Sequence, residues 1–233
     1  MIAQFIDGPL WIFSLSVFLI GVTWRIVTIL MAGNRKDLAT PRGSASTGAI
    51  RTVFTRSVYE RSAATRGRLL LVAGYLFHIG LFVLLFFAQP HIDFIAERIT
   101  GLSWTAIPHW AFILSAELAF LGLLLLWIHR LLSPVTRMLS DLDDHLGSLL
   151  VFLVMLTGCL ALAQSFESLR LIHLLLAELL LIYFPFSKLM HTFTFILVAV
   201  IPAQPWGAKV STHSPHFSRP RILPLRPGVS NVD

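Results

Sequence analysis

The chain has 233 residues, 56% of them hydrophobic and only 13% charged, with mean hydropathy +0.78 and a formal net charge of +6 at pH 7. A soluble globular domain carries about 25% charged residues, so these figures exclude one and leave no room for a separate soluble catalytic domain. The single cysteine, Cys159, excludes a disulfide framework and a self-contained cysteine-ligated iron–sulfur cluster, and the positive excess reads as a membrane-topology signal rather than nucleic-acid affinity.

Five stretches have the roughly 20 apolar residues needed to cross a hydrocarbon core of about 30 Å. They are Pro9–Met31, Leu69–Ala88, Trp110–Leu132, Leu146–Ala163 and a fifth from Leu169 onward. Asp7 and the absence of Lys or Arg in Met1–Leu10, followed by a long apolar run, do not match a cleaved leader. The fifth stretch runs through Pro185 and Lys188 into a further apolar piece, Phe193–Ile201, and Pro185 is expected to bend it. The expected architecture is an all-α membrane protein, one five-helix bundle over residues 1–201 and an extended tail over 202–233. That tail is rich in Pro, Ser and Arg and cannot bury much surface by itself.

Loop charges give an expected orientation. The first connection holds Arg35, Lys36, Arg42, Arg51, Arg56, Arg61, Arg66 and Arg68, the third holds Arg130 and Arg137, and the tail holds Lys209, Arg219, Arg221 and Arg226. The other two connections hold only Arg98 and Arg170. Basic loops stay in the cytoplasm, so the N-terminus is expected outside and the C-terminus inside. The basic first loop also suits contact with anionic lipid or docking of a cytoplasmic partner.

Ionisable side chains inside spans are costly and mark function. His78, His91, His173 and His191 lie in or at the edge of spans. His173 and His191 are 18 residues apart on one apolar stretch, about five helical turns, which puts both on one helix face and ~27 Å apart along the axis. With the second and fifth spans antiparallel, His91 faces His173 on the outer side and His78 faces His191 on the inner side. Two imidazole pairs stacked across a bilayer point to a di-haem b-type cytochrome, whose irons move electrons and leave no open position for oxygen chemistry. Thirteen residues turn an ideal helix by about 220°, so His78 and His91 share a face only if Pro90 ends the helix before His91. His109 is the alternative outer ligand and His129 the alternative inner one. His145 beside Asp143 and Asp144 reads as a solvated loop or helix cap, and His213 and His216 fall in the tail.

The strings Arg170-Leu-Ile-His173-Leu, Tyr183-Phe-Pro185-Phe-Ser187-Lys-Leu-Met-His191, Leu76-Phe77-His78-Ile79-Gly80 and Arg130-Leu-Leu-Ser133-Pro134 resemble the gamma subunit of respiratory nitrate reductase, over roughly residues 1–195. The resemblance implies an N-out, five-helix cytochrome b with two haems that takes electrons from quinol and passes them to a cytoplasmic iron–sulfur partner. It implies His78 and His191 as ligands of the inner haem and His173 as one ligand of the outer. The family's fourth ligand, ten residues after the first histidine, falls here on Ala88, and His91 is the nearest substitute. The loop Thr100-Gly-Leu-Ser-Trp104 and this altered site look more like the membrane cytochromes b linked to sulfite reductase, whose partner resembles heterodisulfide reductase, than like a nitrate reductase subunit with its beta-type partner.

A quinone site then requires an apolar slot with groups to take protons, for which His109, Asp93, Glu97 and Glu117 are the candidates. Arg170 and Lys188 are the candidates for pairing with haem propionates, and Glu178 is expected to hydrogen-bond inside the bundle. The rival functions are a haem-free membrane anchor and a small proton-conducting transporter using Glu117 and the histidines.

Overall fold

The computed structural model describes residues 1–32, 65–164 and 166–200. The basic first connection up to residue 64 and the tail from 201 lie outside the described residues, as do the expectations that fall on them. Among the described residues there is no strand, and five helices are long and apolar enough to cross a membrane. With no water in a hydrocarbon core to satisfy backbone N–H and C=O groups, helices that satisfy themselves are what such sequences form.

Helix α1 runs through Ile2–Met31, with one π-helical turn at Ile6–Leu10 around Pro9. It therefore begins some residues before the expected start at Pro9. Helix α2 spans Thr65–Phe87 and stops at Ala88, which is extended (φ −75°, ψ 133°). Helix α3, Gln89–Ile95, restarts with Pro90 in its first turn, where the missing N–H costs nothing. A π-helical turn over Ala96–Thr100 closes on Gly101, whose φ of +73° suits glycine. Helix α4 spans His109–Leu132, and a short α5, Pro134–Leu139, follows. Helix α6 spans Leu142–Gln164, four residues earlier than hydropathy alone placed its start, because Asp143 and Asp144 sit in its first turn. Helix α7 spans Glu167–Tyr183. Two 3-10 turns, Phe184–Phe186 and Lys188–Met190, then lead into α8, His191–Val200. The bend expected at Pro185 is thus a break, and His173 and His191 stand on different helices. The continuous five-turn helix of the sequence reading does not exist between them.

The packing is uneven. Helices α2 and α4 make the closest pair, α7 packs on α6 and α1, and α4 also touches α6. Small residues permit the α2–α4 approach: Ala73 and Ala119 are buried, a Cβ on Gly80 would lie 2.6 Å from the Ser115 carbonyl oxygen, and one on Gly122 would lie 2.5 Å from that of Ala73. Where apolar side chains face lipid on one side and apolar side chains on the other, close packing rather than the hydrophobic effect holds helices together, and small residues allow it. The core beside this seam gathers Leu84, Ala116, Leu123, Val151 and Met155 from three helices. Gly21 on α1 receives Pro185 in the same way, its Cβ position lying 2.5 Å from the proline ring. Helices α2 and α7 are not among the closely packed pairs; the histidine rings meet between α2 and the start of α8, and between α3 and α7.

Candidate functional site

The break at Ala88 builds the first pair. With α2 ended, the Leu84 carbonyl near its C-terminus needs a donor. His91 turns back and donates from Nδ1 to it at 2.9 Å. This places the His91 ring 6.0 Å, centroid to centroid, from that of His173 on α7, with 26° between the planes. His173 donates from Nδ1 to the Val154 carbonyl of α6 at 3.0 Å, and Thr157 Oγ1 lies 3.4 Å from the same nitrogen. Gly158 supplies the room: a Cβ there would sit 2.9 Å from His173 Cε1.

The second pair lies deeper. His78 is nine residues before the end of α2, ~14 Å along its axis. Its ring is 5.9 Å from that of His191, with the planes at 82°. His78 donates from Nδ1 to the Gly74 carbonyl at 2.7 Å, and His191 donates from Nδ1 to the Lys188 carbonyl at 2.9 Å. The 3-10 turn at Lys188–Met190 makes this last bond possible by bringing the Lys188 carbonyl three residues before the imidazole.

A carbonyl can only accept, so each of the four rings donates from Nδ1, which in the neutral imidazole leaves Nε2 as the ligating nitrogen. A backbone or carboxylate acceptor on the second ring nitrogen is the usual way a metal-binding imidazole is oriented and made more basic. Two metal–nitrogen bonds of about 2 Å, with the ring radii added, separate the centroids of opposed imidazoles by roughly 6 Å, and both pairs match that span. Among the described residues no three or more His, Cys, Asp or Glu side chains converge. The histidines come together as two pairs.

The other candidates are distributed around these pairs. Asp93 and Glu97 follow His91 on the same short stretch and are exposed, and Asp93 accepts a hydrogen bond from Gln89 at 2.7 Å. His109 is exposed at the start of α4. The connection leading to it is tied to the end of α2 by Trp104 Nε1 donating to the Phe86 carbonyl (2.7 Å) and Ile107 N–H donating to that of Phe87 (3.1 Å). Asp93, Glu97 and His109 are therefore at the His91–His173 end of the bundle. Glu117, about two turns along α4, is exposed on the outside of the bundle. His109 and His129 make no ring contact with another histidine among the described residues.

Arg170 spans two carboxylates, donating to Asp7 at 3.1 and 3.2 Å and to Glu167 at 2.7 and 3.0 Å, which fastens the first turns of α1 to α7. Lys188 Nζ pairs with Asp141 at 2.9 Å and Asp144 at 2.6 Å, and Arg130 pairs with Asp144 at 2.6 Å. Its backbone N–H also donates to Asp143 at 2.7 Å, and the Tyr183 hydroxyl donates to the same carboxylate. Both candidate propionate partners thus hold protein carboxylates. His145 is half-buried and accepts a hydrogen bond from Trp127 Nε1 at 3.2 Å, not a solvated cap. Glu178 is buried with no hydrogen-bond partner for Oε2, contrary to its expected bond.

The Lys188 cluster sets a pH window. The hydrogen bond from Lys188 holds the Asp141 carboxyl below its ordinary range, and bonds to Asp144 and Asp141 hold the Lys188 ammonium above its own. A depressed carboxyl contributes stability above its unfolded pKa of about 3.9 and loses it as pH falls through the lower folded value. A raised ammonium contributes below about 10.4 and loses it as pH rises through the higher folded value. Both contributions are complete at neutral pH. Because these groups are exposed, Lys188→Met should lower Tm only slightly in thermal denaturation, and high salt should reproduce the drop in the parent chain but not in the variant.

No family model matches this chain. Among curated proteins it is similar to the Hdr-like menaquinol oxidoreductase cytochrome b-like subunit of Archaeoglobus fulgidus, 25% identical over 250 aligned positions that take in 76% of this chain and 73% of the relative. It is also similar to a protein of Nitratidesulfovibrio vulgaris whose description names no activity, 26% identical over 203 positions covering 83% of this chain and 88% of the relative.

Proposed function

We propose that this chain is a di-haem membrane cytochrome b subunit that exchanges electrons between the quinone pool and a cytoplasmic iron–sulfur partner. The observation that carries the reading is the two imidazole couples, with ring centroids 5.9 and 6.0 Å apart and every ring hydrogen-bonded through Nδ1 to a backbone carbonyl, set at two levels of a membrane-length bundle. His91 and His173 would hold one haem b and His78 and His191 the other. Held there, each haem would supply a one-electron couple. The four backbone carbonyls keep the imidazoles in the tautomer that can ligate.

The loop charges favour a topology with the His91–His173 end outside and the His78–His191 end at the cytoplasm. Quinol would then meet the bundle near His91, where Asp93, Glu97 and His109 are exposed and available to take its protons; Glu117 is the deeper candidate. Electrons would pass inward to a partner docked on the cytoplasmic side. The relative from Archaeoglobus fulgidus supports menaquinol as the quinone and a heterodisulfide-reductase-like partner, and with it a place in sulfur metabolism. Ala88, at the position of the fourth ligand in nitrate reductase gamma subunits, weighs against that alternative. A haem-free anchor or a proton-conducting transporter would have no use for four imidazoles fixed in one tautomer and matched in two pairs.

Purified full-length chain should give a reduced-minus-oxidised b-type spectrum with two haems per polypeptide, and added menaquinol analogue should reduce them. A colourless preparation from haem-replete cells sinks the reading; a coloured one that quinol cannot reduce removes the quinone assignment alone.

A further inference from the structure

The two histidine couples differ in one respect that the sequence does not announce. The planes of His91 and His173 are 26° apart, close to parallel, whereas those of His78 and His191 are 82° apart, close to perpendicular. Each ring is held by its own carbonyl: Leu84 and Val154 for the first couple, Gly74 and Lys188 for the second. None of the four rings is therefore free to spin about its Cβ–Cγ bond without losing a hydrogen bond.

We infer, on the haem reading above, that the two centres are electronically unlike because of these fixed planes, and that Gly158 is the positioning residue that keeps the outer couple parallel. An axial imidazole donates π density only into the iron d orbital perpendicular to its ring. Parallel rings act on one orbital of the pair and split it from the other. Perpendicular rings act on both and leave them nearly equal. The split case stabilises the oxidised state more, so ligand orientation alone biases an electron from the outer site toward the inner one. This lever belongs to the protein, which sets a haem's electronics through its axial ligands and their hydrogen bonds.

Gly158 is placed to enforce the parallel arrangement. A Cβ on residue 158 would stand 2.9 Å from Cε1, 3.2 Å from Nδ1 and 3.5 Å from Nε2 of His173. All three atoms belong to the imidazole ring itself, so any side chain here must turn or displace the ring. The neighbouring Thr157 hydroxyl, 3.4 Å from Nδ1, completes the seat together with the Val154 carbonyl.

Electron paramagnetic resonance of the oxidised full-length protein in detergent reads this directly. Near-degenerate orbitals give one large g value with the other features broadened away; split orbitals give a rhombic signal with three resolved g values. The expected spectrum holds one signal of each type, the large-g signal lost in His191→Ala and the rhombic one lost in His173→Ala. Gly158→Ala should shift the rhombic signal and leave the other in place. Should the alanine chain not accumulate, Thr157→Val, similar in volume but lacking the hydroxyl, tests the same seat by the same shift. Two signals of one type, or the two types assigned the other way round, overturn the inference while leaving two haems in place. An unchanged rhombic signal in the seat variant removes the role of the seat. Absence of any low-spin ferric haem signal overturns the haem reading and this inference together.

Discussion

Alanine at position 91 should lower the haem content of the purified chain from two per polypeptide to one, and alanine at position 78 should do the same by emptying the other site. Each haem would rest on two axial nitrogens, and removal of one leaves a five-coordinate iron held by a single side chain across an apolar gap. Among the described residues no other histidine makes a ring contact with the four. His109 is exposed at the start of α4 and His129 lies toward the far end of that helix, and neither has a ring contact with the four. Haem extracted as the pyridine complex and divided by protein mass gives the count. If His91→Ala keeps two haems while His109→Ala loses one, the outer ligand has been misassigned and the Ala88 break serves another purpose. The double variant His78→Ala with His91→Ala should bind none.

The largest loss of stability is expected from Gly122→Leu. Even the first carbon of a side chain there would lie 2.5 Å from the Ala73 carbonyl oxygen and 2.5 Å from the Phe77 backbone nitrogen. These are backbone atoms and cannot rotate away, so α2 and α4 must separate along their closest seam. Overpacking a well-filled interior costs about 1–3 kcal/mol, and more where backbone has to move. Since Phe77 adjoins His78, the separation should also disturb the His78–His191 couple. Gly74→Ala is the matched control, because nothing lies within 4 Å of its Cβ position and the carbonyl that accepts from His78 is retained. Removing a helical glycine gains about 0.5–1 kcal/mol, so the control should be neutral or slightly more stable. Thermal unfolding of both variants, followed by circular dichroism in the same detergent, decides between them. Equal Tm values would mean that the helices do not approach as closely as described.

Much of the fold could be read from hydropathy alone, since a membrane imposes a length and an apolar character that few other structures share. The helix starts were less legible. Asp7, Asp143 and Asp144 look like loop residues by hydropathy, yet each lies within a helical stretch; Arg170 pairs with Asp7, Arg130 and Lys188 pair with Asp144, and Asp143 accepts from the Lys188 backbone N–H and the Tyr183 hydroxyl. Such pairs join residues up to 163 positions apart, and no local pattern discloses them. The histidines give the opposite lesson. Counting turns from His173 to His191 led to a shared face by way of a continuous helix, but Pro185 ends α7 and two 3-10 turns intervene. Pro90 was legible as a breaker, and the break at Ala88 is what lets His91 turn back to meet His173. Gly158 left no sequence signal at all, because its importance lies in a ring donated by another helix.

The uneven packing has a consequence for biogenesis. Helices α2 and α4 are welded by glycines, α7 is clasped by α6 and α1, and the α4–α6 contact joins these two halves. The space where the imidazoles face one another is therefore a cleft between halves joined by the α4–α6 contact and, at the start of α1, by the Trp11–Phe94 ring contact and the Arg98–Asp7 hydrogen bond. A flat prosthetic group would enter sideways from the lipid after the spans have been inserted, and would then act as the rivet between halves. Cells starved of it should accumulate a membrane-inserted but unlatched polypeptide, open to quality-control proteases along that cleft.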